Sequence, residues 1–220
     1  MSFLNKLRLV LSLGQGINSL THGLIEAEAG FDPLHLFGEW FGHAQASGVA
    51  LPEAMTLATA SKDGAPSARI VLLKSFDHRG FIFYTNYDSR KCRDLEENPH
   101  AALICHWIVL QRQVRIEGTV ERTNQEEAAA YFRSRPRGSQ IGAWASTQSA
   151  PLDNYDHLVL KAKEWEQKFK GRDVPLPPFW GGYVVRPLRI EFWQGRANRL
   201  HDRLVYERDG SGWKITRLNP

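Results

Sequence analysis

The sequence predicts a mainly antiparallel β fold with helices packed outside it, an α+β barrel or sandwich. About seven short stretches rich in β-branched and aromatic residues recur at meander-like spacing, separated by Gly, Asp and Asn turns. Three or four amphipathic helical stretches interrupt them without setting up a βαβ repeat. No low-complexity linker or internal period divides the chain, so residues 31–220 are expected to form one domain.

Residues 1–30 are expected to form a poorly ordered N-terminal arm. Lys6 and Arg8 precede the apolar run Leu9–Leu11, but Ser12, Gly14 and Gln15 break it and no Ala-x-Ala follows, which argues against a secretory signal. Asp32 is a good N-cap and Pro33 suits the first helical position; Phe37, Trp40, Phe41 and Ala44 then share one face, and Gly48 is the stop. Met55–Ser61 and Ala68–Phe76 read as strands around the turn Lys62-Asp63-Gly64, and Phe81–Thr85 as a third. Ser89 caps a short helix that ends before Pro99. Ala101–Leu110 and Gln113–Arg122 are two further strands. Asn124 caps a helix to about Arg135. Residues 136–151 carry Gly, Ser and Pro and read as a connecting segment. Asp153–Lys170 reads as a helix burying Leu158, Ala162, Trp165 and Phe169. Tyr183–Trp193 is a strand, and Leu204–Arg208 with Trp213–Leu218 form a closing hairpin around Asp209–Gly212.

The 220 residues are 42% hydrophobic and 24% charged, which excludes disordered, collagen-like and disulfide-stapled classes. Cys92 and Cys105 form no CxxC pair, and a reducing, cytoplasmic compartment fits them. No stretch approaches the 18 or so apolar residues of a membrane span. Gly14-Gln15-Gly16 lacks the preceding strand and third glycine of a dinucleotide fingerprint. The eight histidines show no zinc spacing, and Gly210-Ser211-Gly212 is a hairpin turn rather than a nucleophile elbow.

Three cation groups remain. Arg69 and Lys74 bracket a strand, and a period of two puts them on opposite faces unless the sheet bends. Tyr84-Thr85 lead into Ser89-Arg90-Lys91 at a helix start, where free N–H groups, a hydroxyl and cations suit a phosphate; solvated first-turn charges are the alternative. Tyr131 and Arg135 fall at i and i+4, flanked by Arg133, Arg137 and Ser139. They suit a second oxyanion or an ordinary basic helix end. Trp193, Arg199, His201 and Arg203 form a mixed face, with the last three on one side of an extended strand; ion pairing to Glu191 and Asp202 is the alternative. Compact cradles separated by apolar strands point to two phosphorylated small molecules rather than the broad basic stripe of a nucleic-acid binder.

Those residues carry a resemblance. Arg69–Lys74 (RIVLLK), Phe83–Asn86 (FYTN), Ser89–Lys91, Tyr131–Arg137 (YFRSRPR), Ser139–Trp144 (SQIGAW), Gln148-Ser149, Pro175–Gly182 (PLPPFWGG), Ile190–Gly195 (IEFWQG), Arg199–Arg203 (RLHDR) and Arg217–Pro220 are similar to the pyridoxine (pyridoxamine) 5′-phosphate oxidases, in register from about Asp32 to the C-terminus. The resemblance implies a cytoplasmic homodimer of FMN-binding split β-barrels, with FMN in two clefts at the subunit interface and no role for a metal, a membrane or nucleic acid. It implies FMN contacts from Arg69, Ile70, Val71, Leu72, Leu73, Lys74, Tyr84, Thr85, Arg90, Lys91, Gln113, Gln148, Ser149, Trp193 and Arg203. Lys74, Tyr131, Arg135 and Ser139 would hold the substrate phosphate, and Arg199 and His201, the implied catalytic pair, would cover the substrate ring over the flavin. The implied reaction converts pyridoxamine or pyridoxine 5′-phosphate to pyridoxal 5′-phosphate and reduces O₂ to H₂O₂. Family members usually carry an Arg and a Tyr ahead of a Gly-Leu segment that closes over the substrate; here Gly23-Leu24 is present but Gly16–Leu20 contains neither. That departure keeps open a split-barrel FMN oxidase or reductase with another substrate. A non-catalytic flavin or pyridoxal-phosphate binding module is the further alternative.

Overall fold

The computed structural model describes residues 23–220. Nine strands form one antiparallel sheet: β1 (Ala54–Ala60), β2 (Pro66–Leu72), β3 (Ser75–Asp77), β4 (Gly80–Asn86), β5 (His100–Trp107), β6 (Arg112–Arg122), β7 (Trp180–Gln194), β8 (Asp202–Asp209) and β9 (Gly212–Arg217). The order is β2-β1-β5-β6-β7-β4-β3, and β8 and β9 branch from β7. The long β7 makes this possible: residues 180–185 pair with β4, while residues 189–194 pair with β8, and β6 runs along most of its other edge. Alternation drives the curl. In β5, Ala101, Leu103, Cys105 and Trp107 point inward and are buried, and they meet Val114, Ile116, Ile190 and Phe192 in one core.

Among the described residues five helices of eight or more residues flank the sheet, besides a single turn at Glu26–Ala29: α1 (Pro33–Ala46), α2 (Arg90–Glu97), α3 (Gln125–Ser134), α4 (Arg137–Ala145) and α5 (Tyr155–Lys168). The Asp32 carboxylate accepts from Leu34 N at 2.9 Å, so α1 starts where expected. It buries Leu36, Phe37, Trp40 and Ala44, with Phe41 half-buried beside them. Phe37 lies edge-on to Phe76 and Phe81, at 5.0 and 4.8 Å. Phe132, Ile141, Phe169, Val174 and Trp180 form a second cluster under α3, α4 and α5.

Several expectations need correction. The strand expected over Ala68–Phe76 is two strands. The Leu73 amide donates to Glu53 O (2.8 Å) on the β1 side, and the next amide, Lys74, donates to Ile82 O (2.9 Å) in β4. The chain therefore changes partner between adjacent residues, which is the bend that Arg69 and Lys74 required. Residues 137–145, expected as part of a connecting segment, are helical. The α5 helix begins at Tyr155, capped by Asn154 rather than Asp153; of its four expected core residues Phe169 is buried and the other three are half-buried.

The arm expected over residues 1–30 lies, for its first 22 residues, outside the described residues. Residues 23–30 are tied to β8: Leu24 N donates to Asp202 Oδ2 (3.1 Å), and the Tyr206 hydroxyl donates to Ala29 O and Gly30 O. Among the described residues no helix is long and apolar enough to cross a membrane.

Gly118 is required by close approach. The β6–β7 register shifts between Glu117 and Gly118, opposite Pro187, whose missing N–H is tolerated at such a bulge. A Cβ on Gly118 would lie 1.9 Å from Arg186 O. Gly118→Ala is therefore expected to destabilise the protein by about 3 kcal/mol, read as a lower urea midpoint at unchanged slope.

Candidate active site

A cleft of about 670 Å³ opens where the β2–β3 bend, the end of β4, the start of α2 and the α3–α4 turn converge. That volume is ordinary for a cofactor or small-molecule site. Ile70, Val71, Leu72 and Lys74 line it from the bend, Tyr84 and Thr85 from β4, Lys91 from α2, and Tyr131, Arg135, Ser139 and Gln148 from the helical side.

Lys91 forms one wall. The chain leaves β4 through a turn in which Asp88 N donates to the Asn86 side chain (2.8 Å), and α2 begins at once. Ser89 takes the N-cap position, but its hydroxyl does not cap the helix; it accepts from Lys91 Nζ at 2.9 Å. Lys91 Nζ also donates to Thr85 Oγ1 (2.9 Å) and Gln148 Oε1 (2.8 Å). None of the three partners is a carboxylate. Burial pushes the Lys91 ammonium below the usual lysine range, and Arg69 adds to that against the nearby Cys92 thiol. A desolvated cation with only neutral partners favours an anionic ligand.

Aromatic stacking builds the opposite wall. Tyr131 stacks on Tyr84 at 4.1 Å, and Tyr84 on Trp180 at 5.5 Å. The Arg135 guanidinium lies over Trp180 at 4.8 Å, and Lys74 Nζ sits 5.8 Å from the Tyr131 ring centre. Arg135 Nη1 is buried without a hydrogen-bond partner, and burial lowers the pKa of the guanidinium. Arg135 is no longer helical (φ −73°, ψ 148°), so the expected i, i+4 face with Tyr131 ends one residue early, yet both line the cleft. The Gln140 amide fixes this turn by donating to the carbonyls of Phe132, Arg133 and Arg135. Arg137 has an ordinary structural role: it pairs with Glu166 and binds Phe169 O and Arg172 O.

The remaining expected residues are not brought into this cleft within one protomer. Arg69 and Arg90 stand beside it, Arg90 exposed and Arg69 half-buried; Leu73 is in the core. Ser149 follows Gln148 at φ +71°. Gln113, Trp193 and Arg203 face one another across β6, β7 and β8 as register partners, forming a second cluster. His201 joins it, 4.7 Å from Trp193, its Nδ1 accepting from Arg196 N.

Arg199, His201 and Arg203 do not share one extended strand, because Ala197–Arg199 is a 3₁₀ turn with Asn198 and Arg199 left-handed (φ +56° and +62°). The alternative ion-pair reading holds for Arg203, whose Nε donates to Glu191 at 2.9 Å, but not for Asp202, which pairs with Arg196 and Arg217. Burial alone would raise the Glu191 pKa; Arg203, Arg115 and Arg189 together hold it below the usual carboxylate range. Sequence reasoning assigned no role to Asn86, Pro136, Gly142, Ala143, Ser146 and Trp180, which also line the cleft. Trp180 had a signal, the second of two adjacent aromatics after the Pro-rich 175–178.

A curled antiparallel sheet with a cation-walled cleft at its edge defines the split β-barrel class. An FMN-binding protein from Nostoc punctiforme, described as pyridoxamine 5′-phosphate oxidase-related, has this fold: TM-score 0.68 at 16% identity, over 87% of this chain and 99% of that one. The family model described as pyridoxamine 5′-phosphate oxidase matches residues 41–169, and that of the pyridoxine 5′-phosphate oxidase C-terminal dimerisation region matches residues 180–220. The chain belongs to the pyridoxamine 5′-phosphate oxidase family.

Proteins named pyridoxine/pyridoxamine 5′-phosphate oxidase from Rubrobacter xylanophilus and Psychromonas ingrahamii are 60% and 53% identical to it. The first alignment covers 90% of this chain and 91% of the relative, the second all of both. PhzG from Burkholderia lata, solved with tetrahydrophenazine-1-carboxylic acid, superposes with a TM-score of 0.85 at 35% identity, over 90% of this chain and 98% of that one.

Proposed function

We propose that the chain is an FMN-dependent oxidase that converts pyridoxamine 5′-phosphate and pyridoxine 5′-phosphate to pyridoxal 5′-phosphate, reducing O₂ to H₂O₂. The observation that supports it best is the pair of cations on opposite walls of one cleft that call for an anion: buried Lys91, held by three neutral acceptors and no carboxylate, and Arg135 with an orphaned Nη1. Two phosphate esters meeting in that cleft would satisfy both. The donor set fits FMN: Lys91, Arg69 and Arg90 for its phosphate, Thr85, Gln148, Ser149 and the 70–74 backbone along its length. The chemistry FMN supplies when bound is acceptance of a hydride from the substrate 4′ carbon and transfer of the electrons to O₂.

The chain's own residues bind and orient. Arg135, Lys74, Tyr131 and Ser139 hold the substrate phosphate, which fixes the ring at a set distance from that anchor. Arg199 and His201 cover the ring and exclude water, and Arg203 places positive charge beside the flavin. Within one protomer His201 and Arg203 lie with Gln113 and Trp193 in the second cluster, and Arg199 lies in the 3₁₀ turn just before it; we assign all of them to the cleft of a partner subunit in a homodimer. The dimerisation region matched at residues 180–220 supports this assignment. So does the exposure of Ile70, 64% at the cleft edge. We take residues 31–220 as one domain preceded by an arm, working in the cytoplasm, a compartment that suits the free Cys92 and Cys105 thiols.

The test is direct. Purified protein supplied with FMN and either ester in air should yield aldehyde and peroxide together. Flavin uptake without product from either ester would favour a split-barrel oxidase with another substrate, a reading that the likeness to PhzG supports.

Lys91 gives a pH signature. Its folded pKa is depressed by burial, so the folded protein sheds this proton at lower pH than the unfolded chain does. Between those two values the unfolded state holds more protons, and Lys91 makes the apoprotein more stable as pH rises. FMN affinity should move the other way, falling in that window as the ammonium that binds its phosphate is lost. Fluorescence titration should show this alkaline limb beginning below the pH of a free lysine, and Lys91→Met should abolish it.

A further inference from the structure

Asp94 lies one turn beyond Arg90 and Lys91 on α2, buried, and outside the cleft lining. Its Oδ2 accepts from the Thr59 hydroxyl at 2.6 Å and stands 3.6 Å from Arg69 Nη2. Thr59 in turn accepts from Arg69 Nη1 at 2.6 Å, and Ser67 Oγ accepts from Arg69 Nη2 at 2.8 Å. Carboxylate, hydroxyl and guanidinium thus form a chain from α2 across β1 to β2. The cations around it repel: Arg90 acts against the charge on Arg69, and Arg69 against that on Lys91. Asp94 is the one carboxylate that forms an ion pair with any of these three cations among the described residues.

We propose that Asp94, acting through Thr59, is a positioning residue that holds Arg69 in place for the phosphate group of the flavin. The inference rests on the FMN assignment above and adds to it a residue that touches neither flavin nor substrate. Two effects of removing the carboxylate oppose each other. Losing a negative charge near the phosphate favours binding; releasing Arg69 from its anchor, next to two like charges, disfavours it. The second dominates, because the carboxylate is spent on Thr59 and Arg69 rather than facing the cleft, whereas the guanidinium orientation rests on it.

The test compares FMN with riboflavin, which lacks the phosphate, by fluorescence titration of the apoprotein. Asp94→Asn keeps the shape and an acceptor for Thr59. Its preference for FMN over riboflavin is expected to fall about tenfold, in line with the loss of a charge-assisted contact. Riboflavin affinity and kcat at saturating FMN should stay within about twofold. Thr59→Val, which breaks the relay and leaves the charge, is expected to lose about threefold of the preference and serves if Asp94→Asn fails to fold. A role in folding alone would weaken both flavins equally, and that result, or an unchanged preference in both variants, overturns the inference. Wild-type protein that takes up neither flavin overturns the FMN assignment and this inference with it.

Discussion

Arg135→Met is expected to raise KM for both phosphate esters about a hundredfold while leaving the protein yellow and lowering kcat by less than about tenfold. The guanidinium is pinned over Trp180, and its Nη1 has no protein partner, so the ligand must supply one. A hundredfold corresponds to about 2.7 kcal/mol, which one or two charge-assisted hydrogen bonds provide. Methionine keeps contact with the Trp180 face and removes the charge. The phosphate takes no part in the bonds that change, so loss of its contact acts on binding more than on the chemical step. Steady-state kinetics with each ester decide this, and an unchanged KM would place the phosphate elsewhere in the cleft.

Arg199→Ala is expected to slow turnover about a hundredfold with flavin retained, because the ring loses its cover and its alignment. The more telling result comes from mixing. Arg135 lines the cleft of its own protomer, whereas Arg199 lies in the 3₁₀ turn between β7 and β8, outside that lining. Co-expressed Arg135→Met and Arg199→Ala chains, assayed at ester concentrations near the wild-type KM, where each is nearly inactive alone, should recover about a quarter of wild-type activity: half the dimers are mixed, and each mixed dimer holds one intact centre. Separate affinity tags allow the mixed dimer to be isolated and assayed. No recovery would mean that both side chains serve the same protomer's cleft.

The sheet was largely legible because burial alternates along its strands. The inward positions 101, 103, 105 and 107 of β5 are visible as Ala, Leu, Cys and Trp. The β2–β3 bend was not legible, because the apolar run Ile70–Leu73 carries no turn residue and the change of partner at Leu73 and Lys74 depends on β4, which β5, β6 and β7 separate from β1 in the strand order. Helix α4 was hidden by Pro136, Gly138, Ser139 and Gly142, which favour a loop locally; packing of Ile141 and Trp144 against Trp165 and Phe169 overrides them.

For the site, cations lodged between apolar strands were the signal, and it found Lys74, Lys91 and Arg135. It could not separate Arg137, which ties α4 to α5, from Arg135 two residues earlier. It also assumed that Arg199 continues a strand, since a left-handed arginine leaves no mark on residue spacing.

The fifteen residues of β7 run from Trp180 in the cleft wall past Trp193 in the second cluster to Gln194, a contour of about 46 Å. This strand serves as a ruler, and its phase matters as much as its length. One residue inserted after Pro187 would turn Glu191 and Trp193 through to the far side of the sheet while leaving Trp180 where it is. If the second cluster completes the partner's cleft, as proposed, every assembled dimer would then lose a wall of both its centres at once. The spacing between Trp180 and Trp193 is therefore a dimension that the proposed two-subunit site requires to stay fixed.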